Sequence, residues 1–356
     1  MSRYLNPKYK NLEAYTPGEQ PQNMKYIKLN TNESPYPPSD GVIAAVNAEE
    51  ASLLRLYSDP ESKDLKKAIA DLYGVNEKNV YLSNGSDDIL NFCFMAFTSE
   101  NTGAAFPEIS YGFYKVFADL YGIDYDRIPL KEDFTINPSD YYGLGKLIVI
   151  ANPNAPTGLM LSLDDIEKII KENSENVVLI DEAYVDFGGN SAYKLIDKYK
   201  NLIVVQTFSK SRSMAGARLG FAFADEELIE DLEKIKFSTN PYNVNRLTTA
   251  AGLAAVRDNK YYMDRCKEIV ETRNFTTDEL VKLGFEVLPS NANFIFAKSG
   301  DIDGLSLYQK LKDRGILIRH FSDEKISNYN RITIGTRQEM EIFLDTVRTI
   351  LEEEQI

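Results

Sequence analysis

The sequence has no tryptophan, a single histidine (His320) and two cysteines, Cys93 and Cys266. One histidine cannot build a multi-histidine zinc centre or the paired histidines of a metalloprotease helix. A serine–histidine–acid triad would have to recruit that one residue. Two cysteines far apart in the chain make no disulfide framework, a usage expected of a large enzyme in a reducing compartment. Positive charge is also scarce: 40 Lys and Arg face 54 Asp and Glu, a net charge of −14. That balance argues against nucleic acid as a partner. No apolar stretch approaches the ~20 residues that span a bilayer. The N-terminal Met1–Pro7 segment lacks the apolar centre of a signal peptide. The expectation is a cytoplasmic chain with no metal site, no membrane contact and no nucleic-acid partner.

What is present is an alternating texture. With 356 residues, about two domains are expected. The first ~40 residues are rich in Pro, Asn and Tyr; prolines cannot donate ladder hydrogen bonds, so this stretch should be an extended arm lying on another surface. Leu65–Tyr73 has helical spacing and stops at Gly74, Val80–Leu82 is a short strand, and Asp87–Phe97 reads as an apolar helix. Three nearly continuous apolar runs follow, Leu147–Ile150, Val177–Ile180 and Leu202–Val205, separated by helical segments such as Leu163–Lys171. Short runs buried on both faces and alternating with helices indicate a parallel sheet. After Pro241 the pattern shifts to long polar helices, Asn245–Leu283 and Gln338–Glu354, with strands at Asn293–Ala297 and Arg331–Ile334 between them. The expected fold is therefore α/β: an arm over residues 1–44, a large domain over 45–240 with a mainly parallel central sheet, and a smaller α+β domain over 241–356.

In open parallel sheets, ligands bind beyond the carboxyl ends of the strands. Ser83-Asn84-Gly85-Ser86-Asp87 follows the first strand, and Asn152–Gly158 follows the second apolar element. Asp181-Glu182-Ala183-Tyr184 and Gln206–Lys210 follow the next two, the latter continuing to Arg218. One sheet edge should thus collect a carboxylate, a phenol, a lysine, an arginine, several hydroxyls and a glycine turn opening a helix. A helix N-terminus binds anions, so Gly85 and Ser86 with Thr207, Ser209 and Arg218 suit a phosphate. Lys210 among cations would have its amine available for carbonyl chemistry. Singly, each residue has an ordinary explanation: Asp caps helices, and lysines sit on surfaces. Together they suit pyridoxal 5'-phosphate, which needs an amine, an acid for its ring nitrogen and a phosphate site. Competing motifs are incomplete. Gly143-Leu144-Gly145-Lys146 is followed by Leu147, where a nucleotide-binding loop needs Ser or Thr. No G-x-S-x-G elbow occurs.

These residues resemble the fold-type I pyridoxal-phosphate aminotransferases, in particular the histidinol-phosphate aminotransferase branch. The resemblance runs nearly end to end, from Tyr15-Thr16-Pro17-Gly18 and Leu29–Tyr36 through Asn84–Asp87, Pro153–Gly158, Asp181–Tyr184 and Phe208–Lys210. It continues through Ala215–Gly220 and Pro241–Asn245 to Ala292–Phe294 and Arg331–Thr336. It implies that Lys210 carries the cofactor covalently and shuttles the proton. Asp181 would pair with the ring nitrogen, Tyr184 would hydrogen-bond the ring hydroxyl, and Tyr111 would stack on the ring. Gly85, Ser86, Thr207, Ser209 and Arg218 would hold the phosphate. Tyr57 would reach the neighbouring subunit's cofactor in a homodimer with shared active sites. Tyr15, Asn32, Arg319 and Arg331 would face the small-molecule amine and 2-oxo acid substrates, because arginine forks pair with phosphate and carboxylate alike.

Two departures from the family pattern stand out. Ala155 occupies the place of an asparagine before Pro-Thr-Gly, leaving Asn154 or Asn152 as its replacement or Tyr184 to act alone. Leu56 precedes Tyr57 where an arginine is usual. The resemblance implies transamination of histidinol phosphate with 2-oxoglutarate. It leaves open an aromatic amino-acid aminotransferase or a decarboxylase of phosphothreonine type. His320 beside Arg319 is expected to be structural, as are the two cysteines.

Overall fold

The computed structural model describes residues 3–354. Strand β1 (Ile27–Lys28) lies in the N-terminal segment. Strands β2 (Val80–Ser83), β3 (Ala104–Pro107), β4 (Tyr125–Ile128), β5 (Leu147–Ala151), β6 (Val178–Asp181), β7 (Leu202–Thr207) and β8 (Gly220–Ala224) follow. They build one seven-stranded sheet in the order β2-β8-β7-β6-β5-β3-β4. Only β8 runs against the rest, antiparallel to both β2 and β7. The expected apolar runs are all in it. Every residue of β5, β6 and β7 is buried, as a sheet covered on both faces requires.

The reversed strand matters for the site. Because β8 runs backwards, its beginning lies at the edge where the parallel strands end: Gly220 is the register partner of both Thr207 and Ser83. Arg218, just before it, therefore arrives beside the residues that follow β2 and β7. The sequence pattern stopped short of β8, and also of β3 and β4, whose Ala, Pro and charged residues dilute the apolar signal.

Past β8 the expected single polar helix is two, Arg246–Arg257 and Asn259–Lys282, broken at Asp258. The first packs with the large sheet, placing Ala251, Ala255 and Val256 in its core. The core of the second body takes over within the next helix, from Cys266 and Ile269 onward. The change of texture at Pro241 and the change of core thus do not coincide. Strands β9 (Phe285–Val287) and β10 (Phe294–Ser299) come next, then β11 (Ile316–Leu317), β12 (Arg319–His320) and β13 (Asn330–Thr333). They form a four-stranded antiparallel sheet, β12-β13-β10-β9, and β11 pairs with β1 in parallel. The arm lies on its own chain along this stretch. Glu19 reaches Tyr308 and Lys312 on the helix Gly304–Asp313, and Lys8 donates to the Tyr121 carbonyl at 3.0 Å. Among the described residues no helix is long and apolar enough to cross a membrane.

Candidate active site

Two cavities open where the sheet edge meets the arm and the second body. The first, of about 320 Å³, is lined by residues from the strand ends, among them Ser86, Asp181, Thr207, Lys210 and Arg218. The second, of about 400 Å³, is lined by Tyr15, Asn32, Arg319 and Arg331, among others. Tyr111, Tyr184 and Lys210 border both, so the two spaces meet at the lysine.

Lys210 follows β7 and donates to the Thr31 carbonyl at 3.2 Å. Burial, with the charge of Arg331 adding to it, brings its ammonium down to about 8. A lysine so shifted has much more neutral, nucleophilic amine near neutral pH than a surface lysine. Asp181 ends β6 and is pushed up to about 6 by burial, although Tyr114 donates to it at 2.8 Å and the Ala183 N–H at 3.2 Å. Such a carboxyl gains from a cation placed against it.

Opposite these lies the helix Ser86–Phe97. Gly85 opens it with φ 85° and ψ 165°, a region nearly confined to glycine. A Cβ at Gly85 would stand 2.6 Å from the Arg218 guanidinium, and one at Gly220 would collide with the Gly85–Ser86 peptide. The two glycines thus clear room for backbone N–H groups, an arginine and the hydroxyls of Thr207 and Ser209, which are 3.0 Å apart. This donor set matches a phosphate. Arg218 meanwhile pairs with Asp87 at 2.9 Å, and Asp87 also accepts from the Tyr111 hydroxyl at 2.7 Å, fixing that ring between the cavities. From sequence, Asp87 figures only as part of the Gly85-Ser86-Asp87 helix start, not as a partner of Arg218 and Tyr111, and Tyr114 has no role. An acidic residue in a first helical turn reads as an ordinary dipole partner, and Tyr114 reads as core.

In the second cavity, Arg319 and Arg331 are direct register partners on β12 and β13. Like charges so placed repel each other, and among the described residues neither has a carboxylate within ion-pair distance. Arg331 donates to the Asn30 carbonyl at 2.9 Å, and its Nε is buried without a partner. Tyr15, from the arm, stacks on Phe113 with ring centres 4.1 Å apart.

Three expected residues, Asn154, Asn152 and Tyr57, fall outside this geometry. Asn154 is buried, accepts from the Ser110 hydroxyl and donates to the Ile109 carbonyl and the Thr157 hydroxyl, so it does not line either cavity. Asn152 is likewise committed to the Leu161 backbone. Ala155 itself lines both spaces, and neither Asn152 nor Asn154 takes the place it vacates. Tyr57 is 79% exposed and stacks on Tyr242, away from the chain's own cavities. Gly85 shapes the first cavity without lining it.

The sequence pattern of the aminotransferase class I and II family matches residues 24–347. A histidinol-phosphate aminotransferase of Brachyspira hyodysenteriae is 53% identical over 352 residues, 99% of each chain. One from Clostridium botulinum is 46% identical over 351 residues, again 99% of each. The solved structure of histidinol-phosphate aminotransferase from Sinorhizobium meliloti in complex with pyridoxal-5'-phosphate shares the fold, with a TM-score of 0.84. It is 22% identical and covers 92% of each chain. This chain belongs to the class I and II aminotransferase family.

Proposed function

We propose that the protein transfers the amino group of histidinol phosphate to 2-oxoglutarate with pyridoxal 5'-phosphate as cofactor. The products are imidazole acetol phosphate and glutamate, a step of histidine biosynthesis in the cytoplasm. The names of the relatives support the substrate. The single observation that carries the reading is the opposed pair Arg319 and Arg331 on the cavity that Lys210 also lines, neither of them within ion-pair distance of a carboxylate among the described residues, a site suited to an anion that comes and goes.

The donor set of the first cavity fits the cofactor end to end, with an amine, an acid and an anion cup around one space. Gly85, Ser86, Thr207, Ser209 and Arg218 would hold its phosphate. Asp181, oriented by Tyr114, would keep its ring nitrogen protonated, and Tyr184 would donate to its ring hydroxyl. Tyr111, tied to Asp87, would stack on the ring. When bound, pyridoxal phosphate supplies a carbonyl for the donor's amine and a ring that draws electrons from the breaking Cα–H bond. Lys210 Nζ, released to its neutral form, takes the proton from the donor's Cα and returns it on the other side of the exchange. Arg319 and Arg331 clamp the phosphate ester of one substrate and a carboxylate of the other, and Tyr15 closes the space above them and excludes water. Tyr57, with exposed Leu54 and Leu56 near it in sequence, would complete the site of a second subunit in a homodimer.

The test is a half-reaction with the loaded protein. Histidinol phosphate should convert the bound cofactor to its amine form far faster than phenylalanine or tyrosine. Phosphothreonine should release no CO₂. Faster conversion by the aromatic amino acids, or CO₂ release, would replace this reading with one of those activities.

A further inference from the structure

The loss of the family asparagine at Ala155 leaves Tyr184 as the remaining phenol donor at the cofactor's ring hydroxyl, and the structure shows how that phenol is aimed. Asn32 Nδ2 donates to the Tyr184 hydroxyl oxygen at 2.9 Å. Asn32 Oδ1 accepts from the Thr333 hydroxyl at 2.9 Å, and the Thr333 oxygen accepts from the Asn32 backbone N–H, also at 2.9 Å. The direction of this ring of bonds follows from the last contact. A backbone N–H can only donate, so the Thr333 hydroxyl must receive it and has its own proton left for Asn32 Oδ1. That fixes which end of the amide is oxygen, and turns the NH₂ end toward Tyr184. With a lone pair of the phenol oxygen taken up, the phenol proton is left to point at the cavity that Tyr184 lines.

The relay is rigidly held. Asn32, Thr333 and Asn293 are 1%, 2% and 0% exposed. Asn293 Nδ2 donates to the Asn32 carbonyl at 3.0 Å, and Thr333 N–H donates to the Leu29 carbonyl at 2.9 Å. Asn32 sits at φ 56°, a left-handed conformation that asparagine tolerates better than most residues. Two segments 301 positions apart, the arm and β13, therefore meet to orient a phenol that belongs to the sheet edge.

We infer that Asn32, locked by Thr333, is a positioning residue that makes Tyr184 an obligate donor to the cofactor's ring oxygen in place of the amide missing at Ala155. This rests on the cofactor reading above and assigns Asn32 a task other than contact with substrate.

The test follows the visible absorbance of the full chain loaded with pyridoxal 5'-phosphate as pH is raised. Weakening a donor to the ring oxygen makes that oxygen more basic, so the midpoint of the absorbance change should rise. Asn32→Gly, which keeps the backbone geometry and adds no charge, should raise it by about one pH unit, a roughly tenfold change in the proton equilibrium. Thr333→Val should raise it less, and Thr333→Ser should return it to the parent value. Tyr184→Phe should raise it alone, and adding Asn32→Gly to Tyr184→Phe should do nothing more. If Asn32→Gly does not fold, the nearly isosteric Thr333→Val carries the same comparison. An unchanged midpoint in folded Asn32→Gly or Thr333→Val overturns the relay, as does an undiminished shift in the Tyr184→Phe background. Lys210→Ala separates this from the reading beneath it. Should that variant keep the parent's pH-dependent absorbance, the cofactor site itself is misassigned. If it loses the absorbance while the Asn32 series stays flat, only the relay fails.

Discussion

The two cavities that meet at Lys210 are built on opposite principles. In the first, charged and polar groups answer one another within the protein: Arg218 has Asp87, Asp87 has Tyr111, and Asp181 has Tyr114. In the second, Arg319 and Arg331 face each other across a strand pair, and among the described residues neither has a carboxylate within ion-pair distance. A group that stays bound can be received by a prearranged, internally tied cup. Substrates that alternate, one a phosphate ester and the other a dicarboxylate, need positive charge that no side chain of the protein has already claimed. The contrast also divides by origin. The first cavity is mainly the edge of a single sheet, with Thr31 and Glu33 of the arm on its border, whereas the second adds to that edge the arm, the turn at Ser110–Gly112 and two strands of the C-terminal body.

The largest effect is expected at the residue both cavities share. Lys210→Ala should remove the visible absorbance of the loaded protein and lower turnover by on the order of 10⁴-fold or more. Stopped-flow absorbance with histidinol phosphate checks both. Next comes the wall of the first cavity. Gly85→Ala forces a side chain into a glycine-only conformation beside Arg218, at a cost of roughly 1–3 kcal/mol. The variant should retain pyridoxal phosphate about ten- to a hundredfold less tightly in equilibrium dialysis, with substrate selectivity unchanged. The smallest effect is one of pH. Since burial lowers the Lys210 ammonium to about 8, the neutral amine is the minor form below that pH and the major form above it. The rate of cofactor loading onto the apoprotein should therefore rise about tenfold per unit up to pH ~8 and then level off. A rate still climbing tenfold per unit toward pH 10 would mean that Lys210 is not shifted.

The first cavity was largely legible in the sequence because its chemistry follows directly on apolar runs. Asp181 and Lys210 lie within a few residues of strand ends, and a parallel sheet gathers such ends on one edge. Arg218 was legible only as part of a motif; its arrival at that edge depends on the reversal of β8, which no local pattern announces. The second cavity was readable only through resemblance. Whether Arg319 opposes Arg331 depends on an antiparallel register set by the packing of the whole C-terminal body, and periodicity carries no information on it. Asn32 shows the same limit: its partners Tyr184 and Thr333 are distant in sequence, so its role as an aiming group emerges only when the three meet. Asn154 shows the reverse. Adjacent to the vacant position in sequence, it is turned into the turn it stabilises.

If Arg319 and Arg331, without an ion-pair partner among the described residues, serve the substrate anion, Arg319→Ala should reveal it. The measurement is the ratio of kcat/KM for histidinol phosphate to that for phenylalanine, taken with the thermal stability of the ligand-free protein. Loss of one arm of a charged clamp should lower the ratio by about a hundredfold. Relief of like-charge repulsion between register partners should leave the free protein as stable as before, or more so by up to about 1 kcal/mol. Equal losses on both substrates, together with a destabilised free protein, would contradict the account and make Arg319 a structural residue of β12.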